Sequence, residues 1–183
     1  MRLKMIVTVQ QFDTYSGNFE NDQDVVLLKE HLLNAAEEKV IDYLGFSPVQ
    51  AERTDFISAI GQNRLYLYAH PVTAVSSLKI SGNSVDSSAF TMNDTYLRLK
   101  DGVFPQGIEN VEVTYTAGWT TSNMPSVITM VILQIATLML EEAGGNIGIT
   151  GKSFDDNSRN FINYTNFDKW LKKLDALRVL RFD

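Results

Sequence analysis

The segment Gly145–Ser153, with the sequence GNIGITGKS, has the composition of a phosphate-binding loop. Such a loop requires a glycine, then four residues, then Gly-Lys-Ser or Gly-Lys-Thr, so that backbone N–H groups and the lysine surround the phosphates. Counting back from Gly151, the required glycine position holds Asn146. The apolar run before the segment also predicts a helix where the motif needs a strand. We therefore interpret the segment as a loop and expect no cofactor there.

Few other residues have catalytic or metal-binding potential. His31 lies in a polar helical pattern and His70 precedes a proline, and no serine has the surroundings of a nucleophile that a catalytic histidine would activate. A polar run begins at Asp155, but a calcium loop needs glycine at its sixth position and glutamate at its twelfth, and this run has asparagine at both. We predict no catalytic residue, no cofactor and no metal site, and hence no enzyme.

The composition excludes further classes of chemistry. The 183 residues include no cysteine, which excludes thiol catalysis, zinc–thiolate sites and iron–sulfur clusters. The net charge of −6 argues against a nucleic-acid-binding protein, which needs a basic surface. The most apolar run, 127–140, is shorter than the roughly 20 residues that cross a membrane. We expect one cytoplasmically synthesised domain with no membrane partner.

Helical patterns occupy both ends of the chain. A capping box at Thr8 predicts a helix at about 9–15, and a longer helix is predicted at about 24–44. Further helices are predicted at about 125–143 and 167–177. On the second helix, the apolar stripe expected to face the core comprises Val25, Leu28, Leu32, Ala36, Val40 and Tyr43.

Between these helices the apolar period changes from that of a helix to that of a strand. Alternating segments separated by turn residues predict a small antiparallel sheet inserted at about 64–118. The polar stretch 145–166 is expected to be a long loop. The expected fold is therefore α+β, with a mainly helical bundle core and an inserted small antiparallel β-sheet, in a single domain 1–183.

Two features indicate assembly rather than catalysis. The helix at about 125–143 is apolar around most of its circumference, which suits the centre of a bundle or a neighbouring subunit. Its predicted inter-subunit or core residues are Val127, Met130, Val131, Leu133, Ile135 and Leu138. The C-terminus combines arginine with apolar and aromatic residues, a composition enriched at interface hot spots. Its predicted docking residues are Arg178, Val179, Leu180, Arg181 and Phe182, unless this tail packs on its own subunit.

Several segments have a distinctive order along the chain. The most specific is 111–119, VEVTYTAGW, which is followed by Pro125 and an apolar helix. A proline-led strand at 71–80, a helix that ends at Gly45 and a basic, aromatic C-terminus accompany it. In this order the segments resemble the head–tail connector (adaptor, or head-completion) proteins of tailed bacteriophages.

This resemblance implies a structural subunit of a phage neck ring, commonly of twelve copies, that joins the portal to the tail and extends the DNA channel. The implied partners are further copies of the chain, the portal protein and the next neck or tail protein, a stopper or tail terminator. DNA would pass without sequence-specific binding, and Arg178–Phe182 would dock on the portal. The implied location is the virion neck, after synthesis in the host bacterial cytoplasm.

Two alternatives remain open. One is another virion or tail-assembly structural protein with similar helix and sheet content. The other is a small ligand-binding domain that uses Gly145–Ser153.

We expect neither the wild type nor Lys152→Ala to bind nucleotide, because the loop lacks a glycine at the position that a phosphate-binding loop requires. The test is a calorimetric titration of both proteins with ATP and Mg²⁺, which should give no binding heat in either. Tight, Mg²⁺-dependent binding that is lost in the variant would contradict the structural interpretation.

Overall fold

The computed structural model describes residues 5–141, 151–154, 157–160 and 167–179, and for 151–160 it describes the backbone alone. The chain divides into two units. Met1–Tyr43 and Pro125–Arg178 form the first, which we call the helical unit. Leu44–Met124 and Val179–Asp183 form the second, which we call the β unit.

Helices lie at the four positions where the sequence pattern predicts them. They are α1 (Val9–Ser16), α2 (Gln23–Leu44), α3 (Ser126–Glu141) and α4 (Phe167–Leu171), and a 3₁₀ helix, Lys172–Leu177, continues α4. The last residue of α2 belongs to the β unit. Residues 142 and 143, the predicted end of the third helix, lie outside the described residues.

The predicted capping box begins α1. The Thr8 hydroxyl accepts a hydrogen bond from the Gln11 N–H at 3.2 Å, and the Gln11 side chain accepts one from the Thr8 N–H at 2.9 Å. Two N–H groups that the first helical turn cannot satisfy thereby gain partners. The helix stops at Gly17, whose φ of 71° is left-handed and suits glycine.

The buried face of α2 is rotated from the predicted stripe. Leu33, Ala36 and Val40 have no exposed surface, whereas Leu28 from the predicted stripe is exposed. Two charged residues, Lys29 and Glu37, occupy the buried face instead. The apolar period cannot reveal such positions, because their burial depends on partners from another segment of the helical unit.

Those partners satisfy both charges. The Lys29 ammonium donates to the Asp13 carboxylate at 2.6 Å and to the carbonyl oxygens of Asn18 and Glu20 at 2.9 and 2.8 Å. Glu37 accepts from two backbone N–H groups, those of residues 6 and 7, at 2.7 and 2.9 Å. Burial raises the pKa of Glu37, and these two hydrogen bonds lower it again in part.

The β unit contains two antiparallel sheets. The larger has the strand order β1 (Ala51–Ala59), β7 (Gly107–Ala117), β3 (Val72–Ile80) and β4 (Asn83–Ser84). The smaller has the order β2 (Arg64–Tyr66), β6 (Tyr96–Leu99) and β5 (Phe90–Met92). The apolar alternation across the predicted insertion thus corresponds to two sheets.

The strand β1 begins before the predicted insertion, which starts at about residue 64. The sequence pattern misses it because Asp55 is buried while its neighbour Phe56 is exposed, the reverse of what hydrophobicity predicts. The Tyr115 hydroxyl on β7 donates to the Asp55 carboxylate at 2.5 Å, and Arg53 also contacts that carboxylate. Burial and the Asp55 contact raise the pKa of Tyr115.

The fold is therefore mixed α+β, and a core that is mainly a helical bundle is not confirmed. The β unit has an apolar core of its own, in which Val111, Val113 and Tyr115 have no exposed surface. The predicted loop 145–166 also contains an antiparallel ribbon of β8 (Gly151–Phe154) and β9 (Asn157–Asn160). Its other residues lie outside the described part of the chain.

The predicted residues of α3 differ in burial. Val131, Leu133 and Ile135 are buried, whereas Val127 and Leu138 are half-buried and Met130 is 42% exposed. The helix therefore has a face turned into the helical unit and a strip that solvent reaches.

We expect Ile135→Asp to lower the free energy of unfolding by several kcal/mol, because it buries a charge that lacks a partner on α3. Met130→Asp, on the same helix, is the matched control and should leave the thermal midpoint nearly unchanged. Thermal unfolding of the two variants at one pH provides the comparison. Equal stabilities would show that the buried face of α3 is not where the structure has it.

Candidate functional site

The histidines occupy ordinary structural positions. His31 is exposed on α2. The His70 ring lies 4.9 Å from the Phe46 ring and 5.9 Å from the Trp119 ring, inside an aromatic cluster of the β unit. In the described part of the chain, no three histidine, aspartate or glutamate residues converge as metal ligands would.

The glycine-rich segment does not have the surroundings of a phosphate loop. Residues 145–150 lie outside the described residues, and Gly151–Phe154 is a strand in which Lys152 pairs with Arg159. A phosphate loop leads from a strand into a helix. Asp155 and its neighbour Asp156 also lie outside the described residues.

Membrane insertion has no candidate among the described helices, since none is both long and apolar enough to span a bilayer.

The predicted docking segment begins against the end of α2. The Arg178 guanidinium lies 4.9 Å from the centre of the Tyr43 ring, and its backbone N–H donates to the Asp175 carbonyl at 3.3 Å. The Tyr43 hydroxyl donates to the Asp175 carboxylate. That hydrogen bond stabilises the protonated phenol and is the main reason why the pKa of Tyr43 is raised. Arg178 therefore has a partner inside the helical unit.

Val179, the next residue, is held in the β unit. Its N–H donates to the Leu44 carbonyl at 3.0 Å. Its own carbonyl oxygen lies 3.7 Å from the position that a Cβ atom would occupy at Gly45. It also borders a groove of about 500 Å³ between β1 and the segment 64–68. The remaining predicted docking residues, Leu180, Arg181 and Phe182, lie outside the described residues.

The β unit exposes apolar side chains that the sequence analysis did not single out. Ile60 is 69% exposed and Ile108 is 89% exposed, and Phe56 is exposed as well. Phe56 and Ile60 also line the groove that Val179 borders. Large apolar residues grouped at one surface are typical of protein interfaces. Phe56 and Ile60 are therefore candidate interface residues of the β unit.

A known family accounts for most of the chain. The sequence profile of the head completion protein family matches residues 5–141. Because the match covers more than half of the chain, the protein belongs to the head completion protein family. Members of this family are virion components, and so is this chain.

Solved structures with a similar fold come from gene transfer agent (GTA) particles. A chain in the virion of a native particle has a TM-score of 0.62 at 13% identity, over 97% of this chain and 92% of that one. A chain in the neck of an empty particle, computed with C6 symmetry, has 0.60 at 13%, over 97% and 92%. A chain in the neck of a native particle, computed with C12 symmetry, has 0.59 at 14%, over 100% and 98%.

At 13–14% sequence identity, these similarities show that the chains share a fold. Among curated proteins, no sequence matches this chain.

We expect Tyr43→Ala to accelerate tryptic cleavage after Arg178 about two- to fivefold, because an exposed cation–π contact contributes about 0.5–1 kcal/mol. Tyr43→Phe keeps the ring but loses the hydroxyl that donates to Asp175, so it should be cleaved more slowly than Tyr43→Ala. Mass spectrometry distinguishes cleavage after Arg178 from cleavage elsewhere. A Tyr43→Ala protein cleaved at the wild-type rate would show that the ring does not hold the arginine.

Proposed function

We propose that the protein is a structural subunit of a phage neck ring, which joins the portal to the tail and extends the DNA channel. The observation that carries the proposal is the family match over residues 5–141. The whole chain would act as one connector domain, without enzymatic activity. The host bacterial cytoplasm is the site of synthesis, and the virion neck is the final location.

The fold relatives support a ring. Two of them are chains in GTA necks, computed with C6 and with C12 symmetry, and the likeness covers nearly the whole of each chain. We infer a closed ring of twelve copies of this chain. Its neighbours in the neck would be the portal on one side and a stopper or tail terminator on the other.

The exposed apolar residues support a ring independently of the relatives. A closed ring with one kind of subunit uses a heterologous interface, in which two different patches of the same chain meet. The helical unit exposes Phe19, Leu27 and Leu28, whereas the β unit exposes Ile60 and Ile108. Both units thus expose large apolar side chains, which is compatible with such an interface.

The net charge of −6 suits a channel through which DNA passes without being bound. An acidic channel wall repels the phosphates of the DNA, so the DNA is not held at the wall.

We propose that the C-terminal segment Arg178–Phe182 docks on the portal. Arg178 and Val179 have partners within the subunit, so the contact would depend chiefly on the residues after them. A guanidinium can pair with a carboxylate in a bidentate fork, and a phenylalanine can fill an apolar pocket. The portal surface should therefore be acidic and partly apolar.

Deleting 180–183 should leave the thermal midpoint near that of the wild type but prevent the completion of heads, because the anchors at Arg178 and Val179 remain. The assay adds the purified protein to DNA-filled heads that lack it and measures the DNA protected from nuclease. A full-length variant with alanine at Leu180, Arg181 and Phe182 distinguishes the effect of losing these side chains from the effect of shortening the chain. Wild-type protection by both altered proteins would refute portal docking by this segment.

A further inference from the structure

The outer face of the smaller sheet carries two arginines directly opposite each other. Arg64 on β2 pairs with Arg98 on β6, and both side chains are exposed. Like charges at directly opposite positions of an antiparallel pair destabilise a sheet. The inner face of the same strands is apolar, with Leu65 and Leu97 buried. The outward arginine pair is therefore not a consequence of packing.

Two tyrosines complete this face. Tyr66 pairs with Tyr96 two residues along the same strands, and their ring centres are 5.6 Å apart. The Arg64 guanidinium lies 5.2 Å from the centre of the Tyr96 ring. Stacking on an aromatic ring orients a guanidinium while leaving its N–H donors available. We call Arg64, Tyr66, Tyr96 and Arg98 the basic–aromatic face.

The charges of this face are not neutralised within the described part of the chain. Neither arginine is within ion-pair distance of a carboxylate there, although Glu109 lines the groove that Arg64 and Tyr66 also border. A protein with a net charge of −6 thus presents an uncompensated pair of cations beside one exposed and one half-buried tyrosine ring. Arginine and tyrosine are among the residues that are enriched at interface hot spots.

The helical unit offers a segment of complementary chemistry. Residues 19–24 comprise the end of the connection between α1 and α2 and the first two residues of α2, and all of them are exposed, including Glu20, Asp22 and Asp24. Phe19 is 66% exposed beside these carboxylates. The Lys29 ammonium holds this connection by its two carbonyl contacts. We call residues 19–24 the acidic segment.

We propose that the basic–aromatic face of one copy binds the acidic segment of the next copy. The inference rests on the proposed ring, because a heterologous interface joins two different patches of the same chain. The carboxylates would pair with Arg64 and Arg98, and Phe19 would pack against Tyr66 and Tyr96. Charge complementarity favours a second copy, which supplies carboxylates, over DNA, since two arginines on a chain with a net charge of −6 make a poor phosphate track.

Charge reversal in two complementary variants tests this contact. Variant A is Arg64→Glu with Arg98→Glu, and variant B is Glu20→Arg with Asp24→Arg. In a ring made of either variant alone, side chains of like charge would face each other at every contact. Each variant alone should therefore fail to assemble on heads, and the amount of protected DNA should fall at least tenfold. Mixed in equal amounts they can alternate around an even-numbered ring, with opposite charges at every contact, and protection should return.

Two measurements separate a lost contact from a lost fold. Arg64→Glu alone places a carboxylate opposite Arg98, so its thermal midpoint should equal or exceed that of the wild type while assembly weakens. Lys169→Glu with Lys172→Glu changes the net charge as variant A does, but at residues that belong neither to the basic–aromatic face nor to the acidic segment. This control should assemble as the wild type does.

Cross-linking gives direct evidence of proximity, since the natural chain has no cysteine. A protein with Phe19→Cys and Tyr66→Cys, treated with a short bismaleimide on heads, should give a ladder of covalent oligomers. Either substitution alone should give none beyond a dimer.

The outcomes distinguish this contact from the proposed ring. If the wild type assembles and variant A assembles equally well, the contact is refuted and the ring stands. If variant A instead loses affinity for a DNA duplex while still forming rings, the face binds DNA and the contact is likewise refuted. If the wild type neither assembles on heads nor protects their DNA, the ring proposal itself fails, and this contact fails with it.

Discussion

The charge of Lys29 has no access to solvent, and the helical unit is arranged around that constraint. A buried ammonium is tolerated only when oxygen atoms replace its water, and here one carboxylate and two backbone carbonyls do so. Because the carboxylate comes from Asp13 on α1 and the carbonyls from the connection to α2, a single side chain ties three successive segments together. The contact with the Glu20 carbonyl also anchors the acidic segment. An interaction that the fold requires internally therefore helps to position a surface that we propose for assembly.

How far the sequence could predict the structure follows from the same physics. The helices and most strands were predictable because capping residues and apolar periods are local signals, as the capping box at Thr8 shows. The buried face of α2 was not, because Lys29 and Glu37 are buried by partners distant in sequence. The strand β1 was missed for a similar reason: Asp55 is buried by its hydrogen bond to Tyr115, and Phe56 is exposed. Where a buried charged residue has a specific partner, the hydrophobicity pattern predicts the wrong buried face for its helix or strand.

The candidate site shows the same division between local and distant signals. The composition of the C-terminus indicated an interface, and the structure adds that Arg178 and Val179 already have partners in their own subunit. The basic–aromatic face could not be predicted, because only the pairing register of β2 and β6 brings Arg64 opposite Arg98. Its tyrosine rings and exposed cations, together with the exposed apolar residues of both units, fit a protein that functions by association. Membership of the head completion protein family agrees with that conclusion.

The measurement that tests this account most directly is an electron cryo-microscopy reconstruction of the neck of the virion that contains the protein. The account predicts a closed ring of copies of this chain directly beneath the portal, with DNA passing through its centre and the outer face of each smaller sheet against the next copy. Density for the chain elsewhere in the particle, or as isolated copies that do not contact one another, would contradict it.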